Sequence, residues 1–215
     1  MTKQKEKRKR TYMRKESRQD MIVKTAETLF ASKGFHGTTM EDISNACGIA
    51  HRTLYLHFTS KQEIFHTLML EVLDRIQNLM EPIKPDDPRI SKSDRNAFFD
   101  FIKEKNLRVF QAVNEERDLF RIILREAPGL SSEIDAILAR INDVMLRQIE
   151  TELVIGQRLG ILGRIDTKLA AQMVLGTMLV VIVTHFLEGS PSDLESLAER
   201  VTEVQHFGTQ GRPPK

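Results

Sequence analysis

Apolar residues recur at spacings of three and four along most of the chain. Ile22, Ala26, Leu29 and Phe30 mark one face of a first segment, and Ile64, Phe65, Leu68, Val72, Ile76 and Leu79 mark another. A third runs through Ile134, Ile137, Leu138, Ile141, Met145, Ile149 and Leu153. This is the period of a helix, and no run alternates apolar and polar residues long enough to make a strand. The pattern predicts an all-α protein of about nine helices.

Local signals set the boundaries. Gly34 follows Lys33 and can cap the first helix in a positive-φ conformation. Thr39, with Asp42 three residues on, opens a second helix over about 40–47, in which Ile43 and Ala46 are expected to face inward. Gly48 permits a sharp turn into a third helix of about two turns, with Leu54, Tyr55 and Phe58 on its apolar side. Ser60 and Glu63 have capping-box spacing and open a fourth helix to about residue 80. Pro82, Pro85 and Pro88 then interrupt the pattern and offer a domain boundary.

Helical periodicity resumes over 94–114 and 115–127 and stops at Pro128-Gly129. Ser132 with Asp135 starts the long helix through Leu153. Asp166 can cap an apolar helix that Gly189 ends, and Ser192 with Glu195 caps a last one to about Gln205.

Charge sharpens this picture at one end. Met1–Gln19 holds nine Lys and Arg against two Glu, a net of +7 in a chain whose total is +2. A basic arm on an acidic remainder suits a polyanion such as DNA, and equally a solvated tail. The single cysteine, Cys47, excludes an internal disulfide and fits a reducing, cytoplasmic setting. Leu169–Leu187 is apolar enough to raise a membrane span, but Gln172, Thr177, Thr184 and His185 within it favour a helix buried in an assembly, with no membrane partner. No phosphate loop, HExxH motif or paired-cysteine spacing points to an enzyme, a cofactor or a metal.

Three small helices from Arg18 to Phe58, the last two joined through Gly48, match a helix-turn-helix, whose second helix enters the major groove. Leu54 and Phe58 are expected to pack inward on Phe30 and Ile43, while His51 and Arg52 point toward DNA. Arg52 suits guanine O6/N7 or a phosphate. Thr53, Tyr55 and His57 can donate to phosphates, and Thr39 and Lys61 bring helix N-termini or charge to the backbone.

The stretch "AETLFASKGFHGTTMEDISNACGIAHRTLYLHFTSKQEIF", residues 26–65, resembles the TetR family of bacterial transcriptional regulators. The resemblance implies a DNA-binding helix around 50–57, phosphate contacts near Thr39, Tyr55 and Lys61, and a C-terminal domain that binds a ligand and forms dimers. Thr38 joins the expected contacts. So does Ala50, where such proteins often carry a capping Ser or Thr. The expected division is a disordered basic arm over 1–17, a DNA-binding domain over 18–62, an effector and dimer domain over 63–207, and a disordered tail over 208–215.

In the last two helices Leu169, Met173, Gly176, Val180, Val183 and Leu187, with Leu194, Leu197 and Val201, make an apolar seam for a second copy. Phe98, Phe101, Phe110, Phe120, Ile123, Ile141 and Met145, with His185 for a polar end, are candidates to line an effector cavity, although most of them equally suit an ordinary core. The expected function is a homodimeric repressor released from its double-stranded operator by a hydrophobic small molecule. A ligand-independent or activating regulator, or a helical adaptor that does not bind DNA, is the alternative.

Overall fold

The computed structural model describes residues 2–79, 94–189 and 191–208. Among them are nine α-helices and no strand: α1 (Thr2–Gly37), α2 (Met40–Ala46), α3 (His51–Tyr55), α4 (Lys61–Leu79), α5 (Arg95–Glu115), α6 (Arg117–Arg125), α7 (Ser132–Arg158), α8 (Thr167–Ile182) and α9 (Leu194–Phe207). A π-helical turn, Val183–Leu187, continues α8. The expected boundary at Pro82, Pro85 and Pro88 and the tail beyond Gly208 lie outside the described residues.

The first helix departs from expectation. The segment expected as a disordered basic arm over 1–17 is helical from Thr2 onward. Its Lys, Arg, Glu and Gln are all good helix formers and no Gly or Pro interrupts them, so charge density signalled an arm while propensity set its conformation. Gly34 breaks the far end of α1 at φ 76°.

Contacts group the chain into two compact units. The first joins Met1–Asp74 with Asp118–Leu138, and the second joins Arg75–Arg117 with Ala139–Lys215. The first unit therefore takes in α6 and the start of α7 as well as the expected helix-turn-helix. Phe30, Phe35 and Phe65 fill its centre, with ring centroids 5.0–5.4 Å apart in tilted and edge-on pairs. Ile22, Ala26, Ile43, Leu54 and Ile64 close around them, all fully buried. Ala46, expected inside, is exposed, and Ser44 is buried instead with its hydroxyl donating to the Glu41 carbonyl at 3.0 Å.

One long-range bond ties α6 into this unit. The Glu126 carboxylate accepts the Phe35 amide N–H at 2.8 Å. A Cβ at Gly34 would lie 3.2 Å from the same carboxylate, so glycine serves both the backbone turn and this close approach.

In the second unit α5 packs against α9, which buries Leu197, Ala198 and Val201. Phe98, Phe101, Ile155 and Ile161 form one apolar cluster, and Ile149, Ala171 and Leu175 form another. The caps of the long helices fall one residue from expectation in two places. Ser131, not Ser132, accepts the Ile134 N–H, while Asp135 accepts the Gly129 N–H at 2.8 Å. Asp193, not Ser192, caps α9. Asp94 and Asp166 cap α5 and α8.

Candidate functional site

In the first unit the turn between α2 and α3 is built by backbone bonds. The Ile49 N–H reaches the Ser44 carbonyl at 3.1 Å and Gly48 sits at φ 63°, a C-cap geometry that glycine adopts without strain. Thr39 caps α2 in a reciprocal box with Asp42, whose carboxylate also pairs with Lys33 at 2.8 Å. The Lys33 ammonium, and after it the Thr39 hydroxyl and amide, hold the Asp42 carboxyl well below the usual carboxylate range.

Helix α3 has only five residues, and burial divides its sides. Leu54 is fully buried and Phe58, just beyond it, is 3% exposed. On the open side stand His51 and Arg52, with the His51 and Tyr55 rings edge to face at 4.9 Å. Tyr55 is exposed, Thr53 and His57 are half-buried, and Ala50 is an exposed N-cap that makes no side-chain capping bond. Among the described residues the most open large apolar one is Leu56, 73% exposed and unnoticed in the sequence pattern. It lies about 200° around the helix from Leu54, so a helical wheel drawn on Leu54 and Phe58 puts it outside.

Two expected DNA contacts are placed otherwise. Thr38 is completely buried, its hydroxyl donating to the Gly34 carbonyl at 2.8 Å, so Thr39 alone of the pair is open to a phosphate. The Lys61 ammonium turns inward, donating to the carbonyls of Phe35 at 2.7 Å, Thr38 at 2.8 Å and His36 at 3.4 Å, and it lies 4.6 Å from the Phe35 ring centroid. Its charge satisfies the orphan carbonyls at the end of α1, as a cation at a helix C-terminus should. At the start of α4, the Ser60 hydroxyl accepts the Glu63 N–H, but the Glu63 carboxylate reaches back to Thr59 at 2.6 Å, one residue beyond the expected box.

The second unit contains a partly open cavity with an enclosed space of about 60 Å³. Phe98, Ile102, Ile149, Leu153, Leu162 and Val174 give it apolar walls, and Glu152, Thr202, Gln205 and His206 supply polar groups. Of the residues expected to line an effector cavity, Phe98 is the one on the wall of this cavity. Phe101 lies in the cluster with Phe98, and Met145 packs on the cluster around Ile149. Phe110 is buried against Phe186 at 5.4 Å, and Ile141 is buried elsewhere in the unit. Phe120 and Ile123 belong to the first unit. His185 is exposed, its Nδ1 2.9 Å from the Thr184 hydroxyl.

The outer side of α8 is apolar and uncovered: Leu169, Met173 and Val180 are 55%, 67% and 63% exposed, and nothing lies within 4 Å of the Cβ position of Gly176. Val183, Leu187 and Leu194 are half-buried. Leu197 and Val201, expected on the same seam, are buried within their own chain, whereas Val204 of α9 is 54% exposed. The helix Thr167–Leu187 is long and apolar enough to cross a membrane, with 28% of its most apolar window buried.

Comparison with known proteins places the first unit. Residues 22–68 match the sequence model of the bacterial regulatory proteins of the tetR family. The chain is similar to IcaR of Staphylococcus aureus, described as a negative regulator of the biofilm operon icaADBC. The two are 38% identical over 61 residues, 28% of this chain and 33% of that protein. The matches span only a quarter to a third of the curated relatives' length, 24% and 33% for the first two.

Among solved structures, the fatty acid degradation regulator FadR from Bacillus halodurans superposes with a TM-score of 0.74 at 22% identity, covering 91% of this chain and 97% of that one. FadR from Bacillus subtilis in complex with stearoyl-CoA superposes at 0.65 and 22% identity, covering 87% and 97%. At that identity the likeness is one of fold.

Proposed function

We propose that the chain is a bacterial transcriptional regulator of the TetR type, a regulator rather than an enzyme, acting as a dimeric, ligand-released repressor; the match of residues 22–68 and the likeness to IcaR support the reading. One observation carries the reading: burial of Leu54 and Phe58 fixes a five-residue helix whose other side offers His51, Arg52, Tyr55 and Leu56 to solvent. A helix this short reads few base edges. Arg52 is the candidate for guanine, and Tyr55 and Thr39 hold the phosphate backbone. Leu56 adds an apolar contact of the kind a thymine methyl accepts.

Few contacts per copy call for two copies. The uncovered strip Leu169, Met173, Gly176 and Val180 recurs at four, three and four, as a helix seam does, and Gly176 allows close approach of a partner helix. A dimer formed on this strip would read two half-sites about 34 Å apart along the DNA, or a multiple of that.

The ligand site is the cavity of the second unit. Its enclosed space is far below the roughly 300–1,000 Å³ of ordinary small-molecule sites, so a lipophile of any size must select a wider form of the helices around it. That difference in fit is the source of coupling. A coupling of about 1–3 kcal/mol changes operator occupancy roughly 5- to 150-fold. The complex of the Bacillus subtilis neighbour with stearoyl-CoA supports a lipophilic acyl compound for this chain.

The test begins with genomic fragments selected by the protein, followed by fluorescence anisotropy on the winning sequence with and without acyl compounds. Salt-dependent, sequence-selective binding that an acyl compound weakens supports the proposal. Equal operator affinity with and without every bound compound overturns the release mechanism. Met173→Glu should yield monomers in analytical ultracentrifugation and weaken operator binding, and a Met173→Glu dimer would discard the α8 seam.

A further inference from the structure

Resting on the reading of that cavity as the ligand site, we propose that it selects an uncharged lipophile with a hydrogen-bond-accepting oxygen and rejects the free carboxylate of the same chain length. An ester, a thioester or an alcohol has such an oxygen.

The argument starts from one hydroxyl hydrogen. Thr202, fully buried, donates it to the Ala198 carbonyl at 2.7 Å. Toward the Asn106 amide nitrogen, 2.9 Å away, Thr202 can therefore only accept. The remaining Asn106 amide hydrogen goes to Gln205 Oε1 at 3.0 Å. This chain of donors fixes the orientation of both amides and turns Gln205 Nε2 away from Asn106. That nitrogen is buried and has no hydrogen-bond partner among the described residues, although Gln205 lines the cavity. A buried donor without an acceptor is costly, and a ligand oxygen at this point recovers the loss.

Charge on the same wall sets the second half of the selection. Glu152, 5% exposed, is the one carboxylate lining the cavity, and its Oε1 accepts from the Lys105 ammonium and from Gln148 at 3.0 Å. Lys105 is itself buried and is not among the lining residues. The pair is neutral as a whole, with its anion toward the cavity and its cation behind. A fatty carboxylate entering here would face Glu152 and find the nearest ammonium already engaged. His206 also lines the cavity, its ring 6.1 and 5.9 Å from those of Phe98 and Phe99.

The experiment titrates the full chain calorimetrically near pH 8 with methyl octanoate, octan-1-ol and octanoate. The ester and the alcohol should bind about tenfold or more tighter than the carboxylate, a ratio set by the charge contact with Glu152 that they avoid. Gln205→Leu should weaken binding of the ester and the alcohol by about tenfold. Glu152→Gln, which removes the anion from the wall while its amide oxygen can still accept from Lys105, should raise octanoate affinity, and this variant decides the matter if Gln205→Leu loses its helical circular dichroism.

Octanoate binding as tightly as the ester, or no gain of octanoate affinity in Glu152→Gln, overturns the selectivity and leaves the cavity as a ligand site. Binding of none of the three overturns both.

Discussion

The reading surface and the cavity are both made of polar groups held by buried apolar ones, but they are built over different distances in the chain. Around α3 the decisive bonds are short-range: Thr39 to Asp42, Thr59 to Glu63, Ile49 to Ser44. Around the cavity they join α5 to α7 and α9 across 47, 96 and 99 residues. Short-range bonds follow from residue type and spacing, so the first region could be read from the sequence. The second exists only once three helices have packed.

The two lysines at the centre of these regions give the sharpest contrast, since one closes a helix end near solvent and the other sits in the interior. Removing the interior pair's anion should have the largest effect. Glu152→Leu leaves Lys105 buried without a partner and should cost about 3–5 kcal/mol of stability in urea unfolding followed by circular dichroism. A cost within error of zero would mean that water reaches Lys105 and the contrast fails.

Lys61→Met removes the bonds to the Phe35 and Thr38 carbonyls and should cost about 2–3 kcal/mol. It should also lower affinity for every DNA sequence alike while the slope of binding against salt stays the same. A slope reduced by about one unit would return Lys61 to the phosphate backbone. Arg52→Ala should do the opposite, leaving stability within about 0.5 kcal/mol and removing about 1–3 kcal/mol of preference for the best operator over its variants.

The smallest effect is on acid stability. Because the Asp42 carboxyl is depressed in the fold, its stabilising contribution is present above the ordinary aspartate pKa of about 4 and is lost as pH falls from there toward the folded value. Asp42→Asn should remove that part of the acid dependence, measured by helical circular dichroism from pH 5 downward. An unchanged acid profile would show that Asp42 keeps its partners when unfolded.

Particular residues show where sequence reading stops. Leu54, Phe58, Gly48 and the Thr39 cap were legible because each is set by neighbours within a turn or two. Thr38 and Thr39 are adjacent and chemically identical, and only the path of the chain after Gly34 decides which hydroxyl turns inward. Lys61 looked like a phosphate ligand because the carbonyls it serves lie 23–26 residues earlier. Phenylalanines marked the cavity poorly. Of four candidates Phe98 reached its wall, since periodicity shows that a residue is buried and not what it is buried against.

The bond from Phe35 to Glu126 bears on how the protein can be re-engineered. A chimera made by cutting after α4 and grafting residues 1–80 onto a foreign sensor would leave behind the carboxylate that accepts the Phe35 amide, 91 residues further along. The transplanted head would start with a buried orphan donor at about 1–3 kcal/mol and an unsupported α1 terminus. The portable module is therefore discontinuous, and a working hybrid has to carry Asp118–Leu138 along with the reader.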